Sequence, residues 1–325
     1  MGLSFLDILG YICIALVLIK VWYLLSLSSP VVVPACTDTR SSAPCESLQY
    51  CYWMNKDRMW LYYNHWECKS APKAIMLLCH GICEHSGRYG GLARNYTSKG
   101  IEIYALDHRG HGRSDGYRNY INSMSDVIQD SCDFLEYIHN LHPSLPIIVM
   151  GHSMGGMIAI SVTYRMKHLV KAGVYSAPAL MIQPALERLY GLVNCIQALF
   201  PKLPVSRLGG AELCHNPVII EDYENDILNT PGKKKPVPAR TAIQLYKGIQ
   251  AANEYATDFT TPFLLMQGAE DSVCLPQGAK GFVKNALSKD KELKMWDGLY
   301  HEIMNEVNGE EVMNYGVNWI LAHLD

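Results

Sequence analysis

The pattern of apolar and polar positions changes character along the chain. Residues 5–27 are apolar almost without interruption, Asp7 and Lys20 being the charged exceptions. Further on, Leu48–Met54 and Met59–Glu67 are rich in aromatic and β-preferring residues on either side of the polar turn Asn55-Lys56-Asp57-Arg58. That arrangement predicts a β-hairpin. From Ala74 the chain alternates between two kinds of segment. Short continuous apolar runs cover Ala74–Cys79, Ile101–Leu106, Ile147–Met150, Ala172–Tyr175, Phe263–Met266 and Leu293–Trp296. Between them lie longer helical stretches such as Met124–Leu141 and Gly155–Met166. Strands with near-continuous apolar runs are buried on both faces, and helix-length intervals supply the right-handed crossovers that parallel neighbours need. The expectation is an α/β fold, with a mostly parallel central sheet flanked by helices.

One interval breaks the alternation. Roughly seventy residues separate the strand ending near Ser176 from the helix starting near Arg240, too many for a plain connection, which predicts an inserted helical cap. Within it Leu186, Leu189, Tyr190, Val193, Ile196 and Phe200 recur at helical spacing. Such a stripe is either a packed core face or, on a lid over a lipid pocket, a surface that greets acyl chains or membrane. The resulting division is an N-terminal apolar segment (1–28), a linker (29–47), the first part of the α/β core (48–178), the cap (179–240) and the second part of the core (241–325).

Composition narrows the function classes. A chain of 325 residues that is 49% hydrophobic can bury one sizeable core with an insertion. A formal net charge of −3, with scattered Lys and Arg, gives no footprint for nucleic acid. The one basic run, Lys233-Lys234-Lys235, is flanked by Pro231, Pro236 and Pro238 and reads as a solvated loop. The segment Phe5–Leu27 reaches spanning length only if Asp7 and Lys20 lie near its ends, with Trp22 and Tyr23 at the interface. A retained single-pass anchor is favoured over a cleaved signal peptide, because no Lys or Arg precedes the apolar run and no small-x-small site follows it. Leu6 stands where a myristoylation signal needs Ser or Thr. Lys20 and Arg40 on the C-terminal side favour a membrane-associated protein whose catalytic domain faces the cytosol. Eleven cysteines, with Cys36, Cys45, Cys51 and Cys68 crowded after the anchor, permit disulfides in a lumen, but reduced thiols are the preferred reading and no zinc spacing is present. The sequon Asn95-Tyr96-Thr97 falls on a predicted helix.

The chemistry is concentrated at Gly151-His152-Ser153-Met154-Gly155, between a buried strand and a helix start. Small residues two before and two after a serine permit the strained turn that lifts its hydroxyl above the sheet, a nucleophile elbow. A hydroxyl needs a base, and in this fold an acid and then a histidine follow the serine at the ends of later strands. One such strand ends in Glu270-Asp271, the next leads to His301. His323 lies too near the C-terminus, and His152 sits inside the elbow. An oxyanion needs donors: the N–H of Met154, and a second from the loop His80-Gly81-Ile82-Cys83, where Ile82 is the candidate and the His80 side chain is read as structural.

Taken together, His80-Gly81-Ile82-Cys83-Glu84-His85-Ser86-Gly87-Arg88-Tyr89, Asp107-His108-Arg109-Gly110-His111-Gly112-Arg113-Ser114, Gly151-His152-Ser153-Met154-Gly155-Gly156 and Gln267-Gly268-Ala269-Glu270-Asp271 resemble the monoglyceride lipase family of α/β-hydrolases, from about Leu48 to the C-terminus. The Glu-His-Ser-Gly-Arg-Tyr run is much more specific than the elbow, because most α/β-hydrolases lack it. The resemblance implies Ser153 as nucleophile, Asp271 rather than Glu270 as acid, His301 as base, and the amides of Ile82 and Met154 as oxyanion donors. It further implies a glycerol-binding set at Glu84, Arg88, His152 and Tyr223, either a modifiable or a plain buried thiol at Cys274, and no metal or organic cofactor. Cys83 departs from the glycine usual in the family, so a slightly altered oxyanion loop is expected. The implied activity is cleavage of monoacylglycerols to fatty acid and glycerol through an acyl-enzyme. A lysophospholipase or broader acyl-ester hydrolase is the neighbouring alternative, and a catalytically inactive, membrane-anchored lipid-binding protein is the alternative from another class.

Overall fold

A computed structural model describes residues 14, 15, 17–21, 51–229 and 234–324. The six apolar runs all form strands. The hairpin β1 (Tyr52–Met54) and β2 (Trp60–Trp66) is followed by β3 (Ala74–Cys79), α1 (Gly90–Thr97), β4 (Ile101–Leu106), α2 (Met124–Leu141), β5 (Ile147–His152), α3 (Met154–Arg165) and β6 (Val170–Ser176). After the insertion come α7 (Ala239–Tyr255), β9 (Phe263–Gly268), α8 (Pro276–Asn285), β10 (Lys291–Trp296) and α9 (Gly309–Ala322). The insertion itself holds α4 (Pro184–Arg188), α5 (Tyr190–Leu199), β7 (Pro204–Gly209), α6 (Pro217–Asn225) and β8 (Lys234–Pro238).

The main sheet has eight strands in the order β1-β2-β4-β3-β5-β6-β9-β10. Only the β1–β2 and β2–β4 pairings are antiparallel. Period-two alternation splits each central strand between two cores. Ile75, Leu77 and Cys79 join Val149 and residues of α2, α3 and α8 on one face. Met76, Leu78, Ile148 and Met150 join α1 and α9 on the other. Each such fully buried aliphatic side chain contributes about 1.5–3 kcal/mol, and the paired layers hold the C-terminal edge of the sheet rigid. That edge is where β3, β5, β9 and β10 deliver their loops.

The cap departs from expectation in one respect. It is not purely helical, because β7 and β8 pair as a separate antiparallel ribbon. The ribbon places Lys234 and Lys235 in a strand rather than a loop, and the Lys235 side chain is fully buried. Its ammonium donates to the carbonyl of Glu224 at 3.1 Å and stands 5.1 Å from the Tyr223 ring. The flanking prolines, read as loop markers, are tolerated because a two-stranded ribbon has only edge strands.

Of the apolar N-terminal segment, Ile14, Ala15 and Val17–Val21 are helical and exposed, and the rest of 5–27 lies outside the described residues. Among the described residues, no helix is long and apolar enough to cross a membrane. Cys36 and Cys45 also lie outside them, whereas Cys51 and Cys68 are free thiols. Asn95 is half-buried on α1 and donates to Asn314 Oδ1 at 3.0 Å, so the sequon's amide is engaged in packing α1 against α9.

Candidate active site

Ser153 links β5 to α3 with φ 56° and ψ −122°, a combination that L-residues rarely adopt. Strain of this kind costs on the order of 1–3 kcal/mol and persists only when its surroundings enforce it. Here the enforcement is visible. Ser153 N donates to Ser176 O at 3.0 Å, and Ser153 O accepts from Met157 N and Ala179 N at 3.2 and 2.9 Å. A Cβ at position 155 would lie 2.0 Å from Cys79 O, and one at position 151 would lie 2.1 Å from Gly155 O. The two glycines are therefore dictated by backbone passing backbone.

The structure brings Ser153, His301 and Asp271 together from three separate strand ends. His301 Nε2 lies 2.8 Å from Ser153 Oγ, and His301 Nδ1 lies 2.8 Å from Asp271 Oδ2. The second oxygen of Asp271 accepts from Val273 N and Cys274 N at 2.8 and 2.9 Å, and Oδ2 also accepts from Gln267 Nε2 at 2.7 Å. Glu270, the rival carboxylate, is exposed. Burial alone would push the Asp271 carboxyl up, but the imidazole and the backbone donors outweigh it and hold the group below its ordinary range. Burial likewise opposes a charged His301, and Asp271 reverses the sign, raising the imidazole above its ordinary value. His152, whose ring centre is 4.7 Å from that of His301, is pushed down to about 4 by burial and by His301. It stays neutral near pH 7 and adds no positive charge against the imidazolium.

The proposed oxyanion donors flank Ser153. Met154 is the first residue of α3, where N–H groups lack an intrahelical acceptor and the helix dipole favours negative charge. Ile82 and Met154 line the same cavity as Ser153. His80 braces the Ile82 loop from below: its Nδ1 donates to Gly81 O at 2.7 Å and its Nε2 accepts from His108 N at 2.9 Å. Burial lowers this histidine well below its usual value, as befits a neutral strut. Asp107 extends the brace, with Oδ1 accepting from Ser86 N at 2.8 Å and Oδ2 from Arg113 N at 2.8 Å.

Glu84, Arg88, His152 and Tyr223 converge near Ser153, around a small cavity of about 20 Å³ that Leu208, Leu213 and Val273 also line. Arg88 is bridged rather than open. Its Nη1 donates to Glu84 Oε2 at 2.6 Å, and its guanidinium grips Glu302 bidentately at 2.8 and 2.9 Å. Glu84 Oε1 accepts from Tyr89 Oη at 2.7 Å and from Gly81 N, so this carboxylate also shapes the oxyanion loop. Burial would raise Glu302, but Arg88 holds it well below the usual carboxylate range. Tyr223 is buried with Arg88 4.8 Å from its ring, and its hydroxyl meets no partner among the described residues. Glu302 was not among the expected site residues. The available signal was its position directly after His301, together with the need of a buried arginine for a second carboxylate.

Next to the small cavity, sharing Ile82, Leu208 and Val273 in its lining, opens a larger apolar cavity of about 200 Å³. Four of the six cap stripe residues, Leu186, Leu189, Tyr190 and Val193, line it. Cys274 lines it as well, with its thiol pushed well up by burial and by the Asp271 charge, the condition of a plain buried thiol.

Comparison with known proteins decides the family. The family model described as serine aminopeptidase, S33, matches residues 70–308. A monoacylglycerol lipase of Mycolicibacterium smegmatis is 34% identical over 263 residues, covering 81% of this chain and 93% of the relative. The chain belongs to the monoglyceride lipase family. Human monoglyceride lipase is 29% identical over 277 residues, with 83% and 88% of the two chains covered. The crystal structure of a monoacylglycerol lipase from Paleococcus ferrophilus superposes with a TM-score of 0.71 at 27% identity, spanning 81% of this chain and 99% of the other. This member of the family is a carboxylic-ester hydrolase of the serine type within the α/β-hydrolase superfamily.

Its departure from the family's usual glycine has a clear local consequence. Cys83 sits at φ 58°, the left-handed region in which a glycine is at ease. The loop thus keeps a glycine-like conformation despite the side chain. The thiol is buried against the cap ribbon, with Sγ 3.9 Å from Pro236 O.

Proposed function

We propose that this enzyme cleaves monoacylglycerols to a fatty acid and glycerol, with Ser153, His301 and Asp271 as its triad. The observation that carries the reading is the apolar cavity of about 200 Å³ at Ser153, adjoined by a small one of about 20 Å³ that Glu84, Arg88, His152 and Tyr223 border. The first suits a single acyl chain. The second is bordered by side chains that can hydrogen-bond a hydroxylated head. The Tyr223 hydroxyl, buried and unpartnered among the described residues, offers a donor to such a head.

In the first step His301 Nε2 accepts the Ser153 proton as Oγ attacks the ester carbonyl. The N–H groups of Ile82 and Met154 receive the oxyanion, and Asp271 stabilises the imidazolium. His301 then protonates the departing glycerol oxygen, leaving the acyl group on Ser153. Water, deprotonated by His301, attacks that ester and releases the fatty acid. The neighbouring reading, a lysophospholipase, demands room for a phosphate diester on the polar side. Turnover of a monoacylglycerol should therefore exceed that of the lysophospholipid with the same acyl chain by at least about ten-fold in kcat/KM. Equal turnover, or preference for the lysophospholipid, would overturn the substrate assignment.

Residues 5–27 are proposed as a single-pass anchor, with the catalytic domain on the cytosolic side. Supporting this are the length of the apolar run and the position of Lys20 and Arg40. Leu192 and Leu199 on α5 are exposed, which gives the cap an apolar outer surface suited to meeting lipid. Cell fractionation should recover the enzyme with membranes and release it only with detergent. Recovery as a soluble, N-terminally trimmed protein would contradict the anchor.

A further inference from the structure

The loop carrying His301 runs between the end of β10 at Trp296 and the start of α9 at Gly309, without regular structure of its own. A catalytic base on such a loop needs outside support, because small misplacements of reacting groups cost large factors in rate. Both immediate neighbours of His301 are tied to one turn of the cap, Glu302 directly and Tyr300 through Glu306 of the same loop. Glu302 N donates to Leu213 O at 2.7 Å. Tyr300 N donates to Glu306 Oε1 at 3.1 Å. The Glu306 carboxylate, almost wholly buried, is in turn gripped by His215, whose Nδ1 lies 3.0 Å from Oε1 and whose backbone N donates to Oε2 at 2.9 Å. The His215 and Tyr300 rings also pack together, with centres 3.7 Å apart. A buried carboxylate is tolerated only when donors meet its lone pairs, and here the donors come from the base's own loop and from the cap.

We propose that His215 is a positioning residue for the catalytic base, acting through Glu306, so that the cap aligns His301 as well as enclosing the acyl chain. The inference rests on the triad reading above. Nothing in its chemistry requires His215 to touch substrate.

The test is steady-state kinetics on a monoacylglycerol with the full-length enzyme, using wild type, His215→Ala, His215→Asn and Ser153→Ala, each with a thermal melt. His215→Ala should lower kcat about ten-fold and leave KM within about two-fold, because alignment of the base is felt in the transition state rather than in substrate binding. His215→Asn, whose side-chain amide stands near the former Nδ1, should restore most of kcat. If His215→Ala does not fold, Glu306→Gln should show the same loss of kcat at unchanged KM. The inference is overturned if kcat stays within about two-fold of wild type, if the loss appears in KM alone, or if asparagine rescues no better than alanine. Failure of the triad reading would look different: the wild type would then lack Ser153-dependent turnover altogether.

Discussion

Replacing Ser153 with alanine is expected to lower ester turnover by on the order of 10⁶ while leaving the protein folded. The size follows from what the hydroxyl does. Without Oγ there is no acyl-enzyme, and water must attack directly, assisted only by whatever the oxyanion donors and bound geometry supply. The preserved fold follows from the elbow. Its strained backbone is enforced by Gly151, Gly155 and the hydrogen bonds of the Ser153 main chain, none of which depends on the side chain. The Ser153 hydroxyl bonds His301 Nε2, which in the variant faces the cavity instead. Retention of esterase activity by the purified variant would show that another group carries the reaction.

Asp271→Asn is expected to lower kcat by about 10⁴, or about 5 kcal/mol of transition-state stabilisation. An amide in place of Oδ2 presents a donor toward His301 Nδ1 and favours the wrong tautomer, while the charge that stabilises the imidazolium disappears. The pH profile separates these effects from simple misfolding. His301 acts as a base only when neutral. Asp271 raises its pKa above the ordinary value near 6.5, so wild-type activity should fall as pH drops through a value above 6.5. In the variant, burial is no longer opposed by the carboxylate, and the acid limb of the residual activity should move downward. An acid limb in the wild type below 6.5, or one that stays put in the variant, would contradict the assigned pairing.

Much of this site was legible in the sequence because the constraints on it are local. Gly151 and Gly155 announce the elbow through their immediate backbone contacts. The central strands announce themselves because both faces are buried, so most positions are apolar. Asp271 and His301 follow from strand order, although choosing Asp271 over Glu270 required a family resemblance. What the sequence concealed depends on distant partners. Lys235 looked solvated because a basic run among prolines usually is, and only the pairing of β7 with β8 carries it inside, against Tyr223 and the carbonyl of Glu224. Glu302 carried a weak local signal in its place beside His301, and His215 carried none, since each takes its place from contacts across more than eighty positions of chain, to Arg88 and Glu306 respectively. The cap stripe was ambiguous in principle. A face toward a core and a face toward an acyl chain have the same composition; Leu186, Leu189, Tyr190 and Val193 line the cavity, while Leu186 and Leu189 also stay exposed.

The central claim, that Ser153 takes the acyl group from a monoacylglycerol, is tested most directly by acid-quenching the enzyme within its first turnovers on that substrate and mapping the acylated peptide by mass spectrometry. The predicted result is a fatty-acyl ester on Ser153 with one equivalent of glycerol released. Glycerol release with no acyl group on Ser153, or acylation at another residue that persists in Ser153→Ala, would contradict it.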